Sequence, residues 1–511
     1  MRTSTALLAL AMVVSIACSG TTSAPPPEEP KPEASPPAPA PAPPPPPPPP
    51  SLAGSNVLLI VMDTTRADRL SCYGYEQETT PNIDALARDG ILFERCVSTA
   101  NWTLPTHASI LSGLFPRSHG AVSATEGGGV VRVNTGDPAT SMKLSVTSLA
   151  EVLEEAGHRT GAVLANHWWL KREFGLSQGF EHFDTTWSRR RSTVSFPTRD
   201  AKEITDAALR WLKRGGRKRQ GMGMKRSKGG AAATASSRPF FLFLNYLDPH
   251  TPYAPPAPYD TKFLPEGFSA DVPALFTRYP SLVDSHMDLE TPKEASARTL
   301  FQARYVGEIA FVDEQVGRLI DHLASTGELE KTIVVVVGDH GEAFGEHGFS
   351  GHRKDLHQTE VWVPLILRLP DRVRVGRHEP MVSQVDIMPT LLQLLDLPIP
   401  EEVEGRSLLE PGPRWIAAED VDHREEVTWR QGLFHDHWAY LKGADQSDRL
   451  FHLRDDPGET ANLATTESEK REEMELALRA WQSSGPDLGE ATPVKLSSEE
   501  IERLRALGYL K

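Results

Sequence analysis

The 511-residue chain contains little cysteine and fewer basic than acidic side chains. Three cysteines are too few for a scaffold held together by disulfides. A hydrophobic content of 39% excludes a protein built from several membrane spans. The 54 Lys and Arg residues against 69 Asp and Glu residues give a formal net charge of −15. This balance argues against a nucleic acid partner, because phosphate backbones are bound through basic side chains.

The N-terminal region has the pattern of an exported protein. We interpret residues 1–17 as a signal peptide, because a basic residue precedes a short apolar stretch that is followed by small residues. The letters SIAC, which end at Cys18, are similar to a bacterial lipobox and predict that this cysteine carries a lipid. The alternative is ordinary cleavage, which leaves Cys18 as an incidental thiol and the protein secreted.

The proline content of the chain is concentrated in one segment. Of the 43 prolines, 17 lie between Pro25 and Pro50. Such a run favours polyproline II, so the part of the linker from Pro25 to Pro50 is expected to form an extended rod of roughly 80 Å, within a linker that covers residues 18–52. With a lipid on Cys18, this linker would hold the rest of the protein away from a membrane.

The body of the chain alternates apolar runs with amphipathic helical patterns. Continuous apolar runs such as Asn56–Met62, Pro239–Leu247 and Thr332–Val337 are typical of strands buried on both faces. Their alternation with helices predicts an α/β fold with a doubly wound, mostly parallel sheet over residues 53–397. Residues 398–511 have shorter strand patterns and a charged helix, which indicate a smaller C-terminal α+β subdomain.

One segment interrupts the predicted α/β region of residues 53–397. Residues 213–238 have no periodicity and contain eight Lys and Arg residues between Lys213 and Lys228. We predict a disordered basic insertion, because nucleic-acid-binding segments carry interleaved aromatic side chains and this one has none.

Potential metal ligands follow three of the predicted strands. Sites in open α/β sheets form at the carboxyl ends of strands, so these side chains are expected to meet in one polyvalent site. The candidate ligands at these three ends are Asp63, then Asp248 and His250, then Asp339, His340, His347 and His352.

A fourth segment adds a hydroxyl group to this site. Pro105 suits the first turn of a helix closed by Gly113, which places Thr103 near the helix N-terminus, where anions bind. A divalent cation held by Asp63, Asp339 and His340 would activate the Thr103 hydroxyl as a nucleophile. The alternative is that Thr103 is only a helix cap, and its position is compatible with both roles.

Several ordered motifs resemble the sulfatase family, within the alkaline phosphatase superfamily. They are DTTRADRLSCYGY, TLPTHASILSGLFPRSHG, LDPHTPY, GDHGEAFGEHG, VPLILR and LFHLRDDPGETANLA, and the resemblance covers roughly Asn56 to the end of the chain. The resemblance implies one divalent cation, with Ca, Mn, Mg and Zn all candidates, on Asp63, Asp339, His340 and the nucleophile Thr103.

The same resemblance implies further site residues. His250 matches the histidine that lies near the oxygen of the leaving group. The cluster HRK beginning at His352 lies where the family has a cationic contact, and His352 is the favoured member for a catalytic role. The expected substrate-binding residues are His107, Arg66 and Lys354.

Departures from the family pattern concern the nucleophile and its neighbours. True sulfatases have a Cys or Ser that becomes formylglycine, whereas this chain has Thr103, which cannot form that aldehyde. His107 replaces the arginine of the motif, and Thr64 replaces a second aspartate. No lysine follows the strand that ends near Ala165-Asn166.

The expected function is therefore a metal-dependent, sulfatase-like hydrolase that cleaves a phosphate or sulfate ester through Thr103, with the phosphoester favoured. Three alternatives remain: a sulfuric ester hydrolase without formylglycine, an envelope phosphoryl-group transferase, and an inactive lipid-anchored binding protein. The expected partners are a small or polymeric anionic ester and, through the anchor, a membrane, but no nucleic acid. The expected location is a bacterial cell envelope, facing the periplasm or the exterior. Cys72 and Cys96 could pair in such a compartment.

Overall fold

The computed structural model describes residues 51–122, 139–187, 198–214, 238–268, 292–410, 412–422, 428–443, 445, 447–489 and 491–494. The signal peptide, Cys18 and nearly all of the linker lie outside these residues, as does most of the basic insertion. Within the described residues, no helix has both the length and the apolar character needed to cross a membrane.

Within the described residues, the main sheet contains nine strands, and the apolar run that follows the linker lies at its centre. The strands of the described residues are β1 (Asn56–Met62), β2 (Ile91–Val97), β3 (Ala139–Thr140), β4 (Arg159–Leu164), β5 (His182–Asp184), β6 (Phe240–Tyr246), β7 (Thr332–Gly338), β8 (Ala343–Phe344), β9 (Ser350–Gly351), β10 (Trp362–Arg368), β11 (Gly376–His378), β12 (Val382–Ser383), β13 (Ile416–Asp422), β14 (Thr428–His435), β15 (Trp438–Lys442), β16 (Asp448–His452) and β17 (Pro493–Val494). The main sheet has the order β11-β2-β10-β7-β1-β6-β4-β5, and β12 also pairs with β2.

The predicted doubly wound, mostly parallel sheet is confirmed. Strands β7, β1, β6, β4 and β5 are all parallel to one another. Strand β10 is the exception, because it runs antiparallel to both β7 and β2. Its apolar run resembles those of the parallel strands because it too is covered on both faces, so composition does not reveal its direction.

Helices cover both faces of this sheet. They are α1 (Pro81–Arg88), α2 (Thr103–Ser112), α3 (Pro116–His119), α4 (Leu149–Glu155), α5 (Ala201–Lys213), α6 (Tyr259–Lys262), α7 (Pro292–Ser325), α8 (Gln358–Val361), α9 (Ile387–Leu394) and α10 (Ser468–Gln482). Alternate residues of β1 enter different cores: Val57, Leu59 and Val61 pack on one face of the sheet. Leu58, Ile60 and Met62 pack on the other. This double burial explains the uninterrupted apolar run of β1.

A second, antiparallel sheet has the order β13-β14-β15-β16 and packs against α10. These short strands and the charged helix α10 agree with the α+β pattern that the sequence predicts for this region. The sheet contacts the main one near β2, where the N–H of Glu419 donates to the carbonyl of Thr99 at 2.9 Å. The predicted boundary at residues 397 and 398 stays a prediction.

The two described cysteines do not pair. Cys72 is half-buried and Cys96 is fully buried, and both are free thiols. The suggested disulfide between them is therefore absent from the fold.

Two glycines with positive φ allow a test of how tightly the main body packs. Gly157 has φ +90° with open space around its Cα, whereas Gly179 has φ +75° and lies against the backbone of Glu151. We expect Gly157→Ala to lower the free energy of unfolding by about 1–2 kcal/mol, because a residue with a Cβ is strained in the left-handed backbone conformation. Gly179→Ala should cost about 1–3 kcal/mol more, because its added Cβ would overlap that backbone. Urea unfolding of both variants measures the difference, and equal losses would contradict close packing at Gly179.

Candidate active site

The site forms where the two central strands end. Strands β1 and β7 pair in register from Asn56 to Met62, so Met62 lies opposite Gly338. The next residues along the two chains, Asp63 and Asp339, therefore emerge side by side at the carboxyl edge of the sheet, as open α/β folds require. Asp63, Asp339 and His340 are all completely buried.

Three atoms of these side chains converge without hydrogen-bond partners. They are Oδ1 of Asp63, Oδ2 of Asp339 and Nε2 of His340. Nε2 of His340 lies 3.9 Å from Oδ1 of Asp63 and 3.5 Å from Oδ2 of Asp339. The other ring nitrogen of His340, Nδ1, is 3.0 Å from the carbonyl of Gly341 and donates to it, which leaves the lone pair of Nε2 directed at the carboxylates.

The electrostatics of these three residues suit a bound cation. Burial raises the pKa of Asp63 to about 7. Burial, with the nearby charge of Asp63, also raises the pKa of Asp339 well above its usual range. Burial lowers the pKa of the His340 imidazole, so that ring is neutral. Two carboxylates and a neutral imidazole, with unpartnered atoms facing one another, are ligands that fit a divalent metal ion.

Thr64 has a strained backbone at the position of the family's second aspartate. Its φ is 52°, in the left-handed region that β-branched residues rarely adopt. Its N–H donates to Oδ1 of Asp339 at 2.9 Å, and its carbonyl accepts from the hydroxyl of Tyr305 at 2.7 Å. The hydroxyl of Thr64 is buried and has no hydrogen-bond partner. Strain of this kind persists where the surroundings require it, and here the Thr64 backbone positions the carboxylate of a candidate metal ligand, Asp339.

Helix α2 brings the Thr103 hydroxyl to the same place. The helix starts at Thr103, and its N-cap Trp102 makes no side-chain capping bond. Nδ2 of Asn166 lies 3.3 Å from Oγ1 of Thr103 and 3.1 Å from Oδ2 of Asp63, so one amide joins the hydroxyl to the metal-ligand group. Sequence reasoning missed Asn166. Its position could have indicated a role in the site, because Asn166 follows β4 at the place where the sulfatase family has a lysine that this chain lacks.

His107 was predicted to contact substrate, and the structure gives it a different position. Its ring is completely buried beneath Thr103. Nδ1 of His107 donates to the carbonyl of Thr103 at 2.8 Å, and Nε2 accepts from Nδ2 of Asn245 at 3.3 Å. Burial lowers the pKa of this histidine to about 4. With both nitrogens occupied inside the protein, His107 supports the first turn of α2 and does not face a substrate.

His250 and His352 do lie beside the metal-ligand group. Their ring centroids are 5.1 Å apart, and the ring of His352 is 4.6 Å from that of His340. Nδ1 of His250 donates to the carbonyl of Thr251 at 2.7 Å. Nδ1 of His352 lies 3.0 Å from Oε1 of Glu342, a buried carboxylate that sequence reasoning did not identify. The two predicted catalytic histidines are thus brought together, with different partners behind them.

Arg66 was predicted to bind substrate, and in the structure its guanidinium forms hydrogen bonds that connect two loops. Its guanidinium donates to both carboxylate oxygens of Asp68, at 2.9 and 2.7 Å. It also donates to Oε1 of Glu346 at 2.9 Å and to the carbonyl of Glu342 at 3.0 Å. These donors are used within the protein, so Arg66 ties the loop after β1 to the loop after β7.

The cationic segment after His352 lies close to Thr103. Arg353 has a positive φ of 63°, and its guanidinium carbon is 4.3 Å from the ring centroid of Trp102, the residue before Thr103. Lys354 is half-buried, and its N–H donates to Oε2 of Glu360 at 3.2 Å. A substrate contact of Lys354 stays a prediction.

Two other candidate ligands lie outside this group. Oδ1 of Asp248 accepts from the N–H of Ala201 at the start of α5, so this carboxylate stabilises a helix end. His347 stacks on His357, with centroids 3.6 Å apart and an angle of 6° between the rings, near Glu459. A metal ion binds in the plane of an imidazole, and two parallel planes at this spacing do not share one binding point. This second cluster therefore does not suit a single ion.

The unpartnered atoms lead to a prediction about metal binding. We expect Asp339→Asn to weaken metal affinity by at least about 10-fold, since it removes a charged ligand from a buried group. Chelation should lower the Tm of the wild type, because an ion that binds only the folded state stabilises it. Elemental analysis and thermal unfolding measure these effects. The matched control is Asp313→Asn, which removes a buried carboxylate that accepts from the N–H of Ile83 at 2.8 Å. Equal metal content in both variants would contradict the assignment.

Comparison with known families agrees with this geometry. A family model named Sulfatase matches residues 55–397. A second model, named N-sulphoglucosamine sulphohydrolase, C-terminal, matches residues 345–483. Together they span both the main sheet and the antiparallel sheet.

Individual relatives carry both sulfatase and phosphatase-superfamily names. The chain is 26% identical to an arylsulfatase of Clostridium perfringens, covering 81% of this chain and 91% of that protein. It is also 26% identical to a multifunctional alkaline phosphatase superfamily protein of Trinickia caryophylli, covering 80% and 91%. The phosphonate monoester hydrolase of Agrobacterium radiobacter has a similar fold, with a TM-score of 0.63, 20% identity and coverage of 84% and 95%. The chain belongs to the sulfatase family, within the alkaline phosphatase superfamily, and is a hydrolase of ester bonds.

Proposed function

We propose that this protein is a metal-dependent hydrolase that cleaves a phosphate ester, in preference to a sulfate ester, with Thr103 as its nucleophile. The observation that carries the proposal is the position of Oγ1 of Thr103, linked through the single amide of Asn166 to the carboxylate of Asp63. The hydroxyl is thereby held beside the only group of described residues that suits a cation in the main sheet. It also lies in the first turn of α2, where helix N–H groups attract anions.

Asp63, Asp339 and His340 would hold the cation. When bound, a divalent ion supplies positive charge that neutralises the anionic ester and lowers the pKa of a neighbouring hydroxyl. The Asn166 amide donates to Oγ1 of Thr103 and so stabilises negative charge on that oxygen. His107 and Asn245 keep the start of α2 in position from below.

The reaction then has two halves. In the first, the Thr103 hydroxyl loses its proton to solvent, and Oγ1 forms a bond to phosphorus while the bond to the leaving oxygen breaks; His250 or His352 gives that leaving oxygen a proton. In the second, water attacks the phosphothreonine ester, the same histidine takes a proton from the water, and Thr103 is released as an alkoxide. Thr103 then takes a proton back from solvent, so the protein ends as it began.

The identity of the nucleophile favours phosphate over sulfate. A formylglycine hydrate has a second hydroxyl through which it eliminates sulfate, and threonine has only one. An ester on Thr103 must therefore be opened by water, a route suited to phosphoryl transfer. The names of the relatives include an arylsulfatase and a phosphonate monoester hydrolase, so family membership alone leaves both esters open.

This proposal predicts a substrate order and a mutant phenotype. With metal-loaded protein, we expect kcat/KM for bis(4-nitrophenyl) phosphate and 4-nitrophenyl phenylphosphonate to exceed that for 4-nitrophenyl sulfate by at least about 10-fold. Thr103→Ala should lower kcat/KM by at least about 10³-fold, because it removes the nucleophile. Thr103→Ser should keep a measurable fraction of the rate.

A matched control removes another hydroxyl from the same helix. Ser112→Ala deletes a buried hydroxyl at the far end of α2, which donates to the carbonyl of Ala108 at 2.7 Å, and should leave the rates unchanged. Faster turnover of the sulfate would reverse the ester preference. Unchanged turnover in Thr103→Ala would reject the nucleophile, and no turnover of any ester would favour the inactive binding protein.

We also propose that Cys18 is lipidated and anchors the enzyme to a bacterial envelope through the proline-rich linker. The support is the SIAC motif directly before a 17-proline segment. In full-length protein expressed in a bacterium, Cys18→Ala should move the enzyme from the membrane fraction to the soluble fraction. Cys72→Ala is the matched control and should leave the distribution unchanged. Membrane association of the Cys18→Ala protein would show that this cysteine is not the anchor.

A further inference from the structure

One edge of the main sheet carries an exposed segment in which basic and apolar side chains alternate. Residues 372–377 read RVRVGR, without an acidic residue, and run into β11, which lies at the end of the strand order beside β2. Val373 and Val375 are 47% and 58% exposed. The side chains of Arg372 and Arg377 are 58% and 55% exposed. Arginines that surround exposed apolar side chains give this arginine–valine segment the composition of a surface that contacts anionic lipids.

A surface cavity of about 390 Å³ lies beside the arginine–valine segment, and its lining includes Arg88, Leu92, Val375 and Arg377. The lining also includes Asp84, whose carboxylate accepts from the hydroxyl of Ser71 at 2.7 Å and from the N–H of Cys72 at 3.0 Å. Because that carboxylate is used within the protein, the cavity offers two guanidinium groups and an apolar wall. These groups fit the phosphate and the glycerol carbons of a phospholipid headgroup.

Two arginines of the segment have carboxylate partners at the surface. Nη2 of Arg372 lies 2.7 Å from Oδ2 of Asp89, and Nε of Arg377 lies 2.6 Å from Oε1 of Glu94. All four side chains are at least 35% exposed. Exposed ion pairs of this kind are weak, because water screens both charges. The phosphates of an anionic membrane therefore compete effectively with Asp89 and Glu94 for the two guanidinium groups.

The arginine–valine segment lies at the same edge of the sheet as the point where the linker joins the fold. Nδ2 of Asn56, at the start of β1, donates to Oε2 of Glu328 at 3.0 Å. The N–H of Asp371, directly before the segment, donates to Oε2 of Glu330 at 3.1 Å. Glu328 and Glu330 both precede β7, so the linker and the segment meet at the edge where β1 and β7 begin.

The candidate active site lies at the opposite edge of the sheet. Asp63 follows the last residue of β1, and β1 has seven residues. At about 3.3 Å per residue, the two edges are separated by about 20 Å. A membrane that contacts the arginine–valine segment therefore leaves the candidate active site facing the aqueous phase.

We propose that the arginine–valine segment and its cavity form a docking surface for the anionic phospholipid headgroups of the membrane to which the linker is anchored. The inference rests on the proposed lipid anchor at Cys18. An anchored chain brings the surface to the membrane repeatedly, and electrostatic attraction then orients the sheet with its linker edge toward the lipid. The ester substrate of Thr103 in this orientation comes from the aqueous phase and not from the lipid of the anchoring membrane.

The test measures the binding of full-length Cys18→Ala protein to vesicles, so that no lipid on Cys18 contributes. The measured quantity is the excess of the partition coefficient for vesicles with about 30% phosphatidylglycerol over that for pure phosphatidylcholine vesicles. We expect a clear excess that about 0.5 M NaCl abolishes, because salt screens the charges. Adding Arg372→Ala and Arg377→Ala together should lower it about 10- to 30-fold, because each arginine near an anionic surface contributes about 5-fold.

A second pair of substitutions tests the apolar side chains. Val373→Asp with Val375→Asp should lower the excess at least about 10-fold, because the change removes apolar contact and adds repulsion. The matched control is Leu476→Asp with Arg479→Ala on α10. Leu476 is 70% exposed, and Arg479 is 69% exposed and lies 2.7 Å from Oε1 of Glu475. This control has a similarly exposed apolar and ion-paired basic side chain, and it should leave the excess unchanged.

Three results would overturn the docking surface. They are no excess binding to the anionic vesicles, an unchanged excess in the arginine variant, and an equal loss in the control on α10. An unchanged excess in the arginine variant would assign the lipid contact to another basic part of the chain, such as residues 213–238. Displacement of the protein by free sn-glycerol 3-phosphate would show a site for a soluble phosphate ester and reject the membrane.

The orientation is tested separately with metal-loaded protein. Turnover of bis(4-nitrophenyl) phosphate by vesicle-bound protein should equal that of the free protein, and a slower rate on the vesicles would contradict a site that faces water. Vesicle binding is measured without substrate, so a protein that turns over no ester rejects the proposed hydrolase and leaves the binding result standing. Cell fractionation of the Cys18→Ala protein decides the anchor independently of both.

Discussion

The structure depends on holding two buried carboxylates next to each other. Asp63 and Asp339 follow paired positions of β1 and β7, and both are completely buried. Burial alone disfavours two such charges, so they need a cation or protons. One oxygen of each is satisfied by the protein, through Asn166 for Asp63 and through the N–H of Thr64 for Asp339. The remaining oxygen of each carboxylate faces His340 and has no hydrogen-bond partner. The site is arranged around these two unpartnered oxygens.

Neighbouring elements of the fold each contribute one layer of support to this pair. Strand β6 provides Asn245, whose Oδ1 accepts from the N–H of Asn166 at 3.0 Å and whose amide nitrogen donates to His107. Helix α7 provides Tyr305, whose hydroxyl holds the strained Thr64 backbone. The order β7-β1-β6-β4 is what brings these side chains together. A chain with a formal net charge of −15 thus concentrates positive potential locally, at the candidate cation site, a helix N-terminus and Arg353.

Much of this arrangement could be predicted from the sequence, and the failures have physical reasons. Strands such as β1 and β7 can be recognised from the sequence because burial of both faces gives them continuous apolar runs. Because the two strands are parallel, Asp63 and Asp339 lie at one edge of the sheet. Strand direction is different: β10 is as apolar as its neighbours and yet runs antiparallel. His107 and Arg66 have the right chemistry for substrate, but whether a side chain faces a ligand or a buried partner depends on contacts distant in sequence. Asn166 and Glu342 were missed for the same reason.

The replacement of cysteine or serine by Thr103 connects these observations. Under the proposed function, Thr103 has no second hydroxyl, so the covalent ester would be released by an attacking water that needs a base on the side away from Thr103. The candidates for that base are His250 and His352. Nδ1 of His352 lies 3.0 Å from Oε1 of Glu342, and Nδ1 of His250 donates to the carbonyl of Thr251. A nucleophile that lacks the formylglycine route therefore makes the second half of the reaction depend on these histidines as well as on the cation.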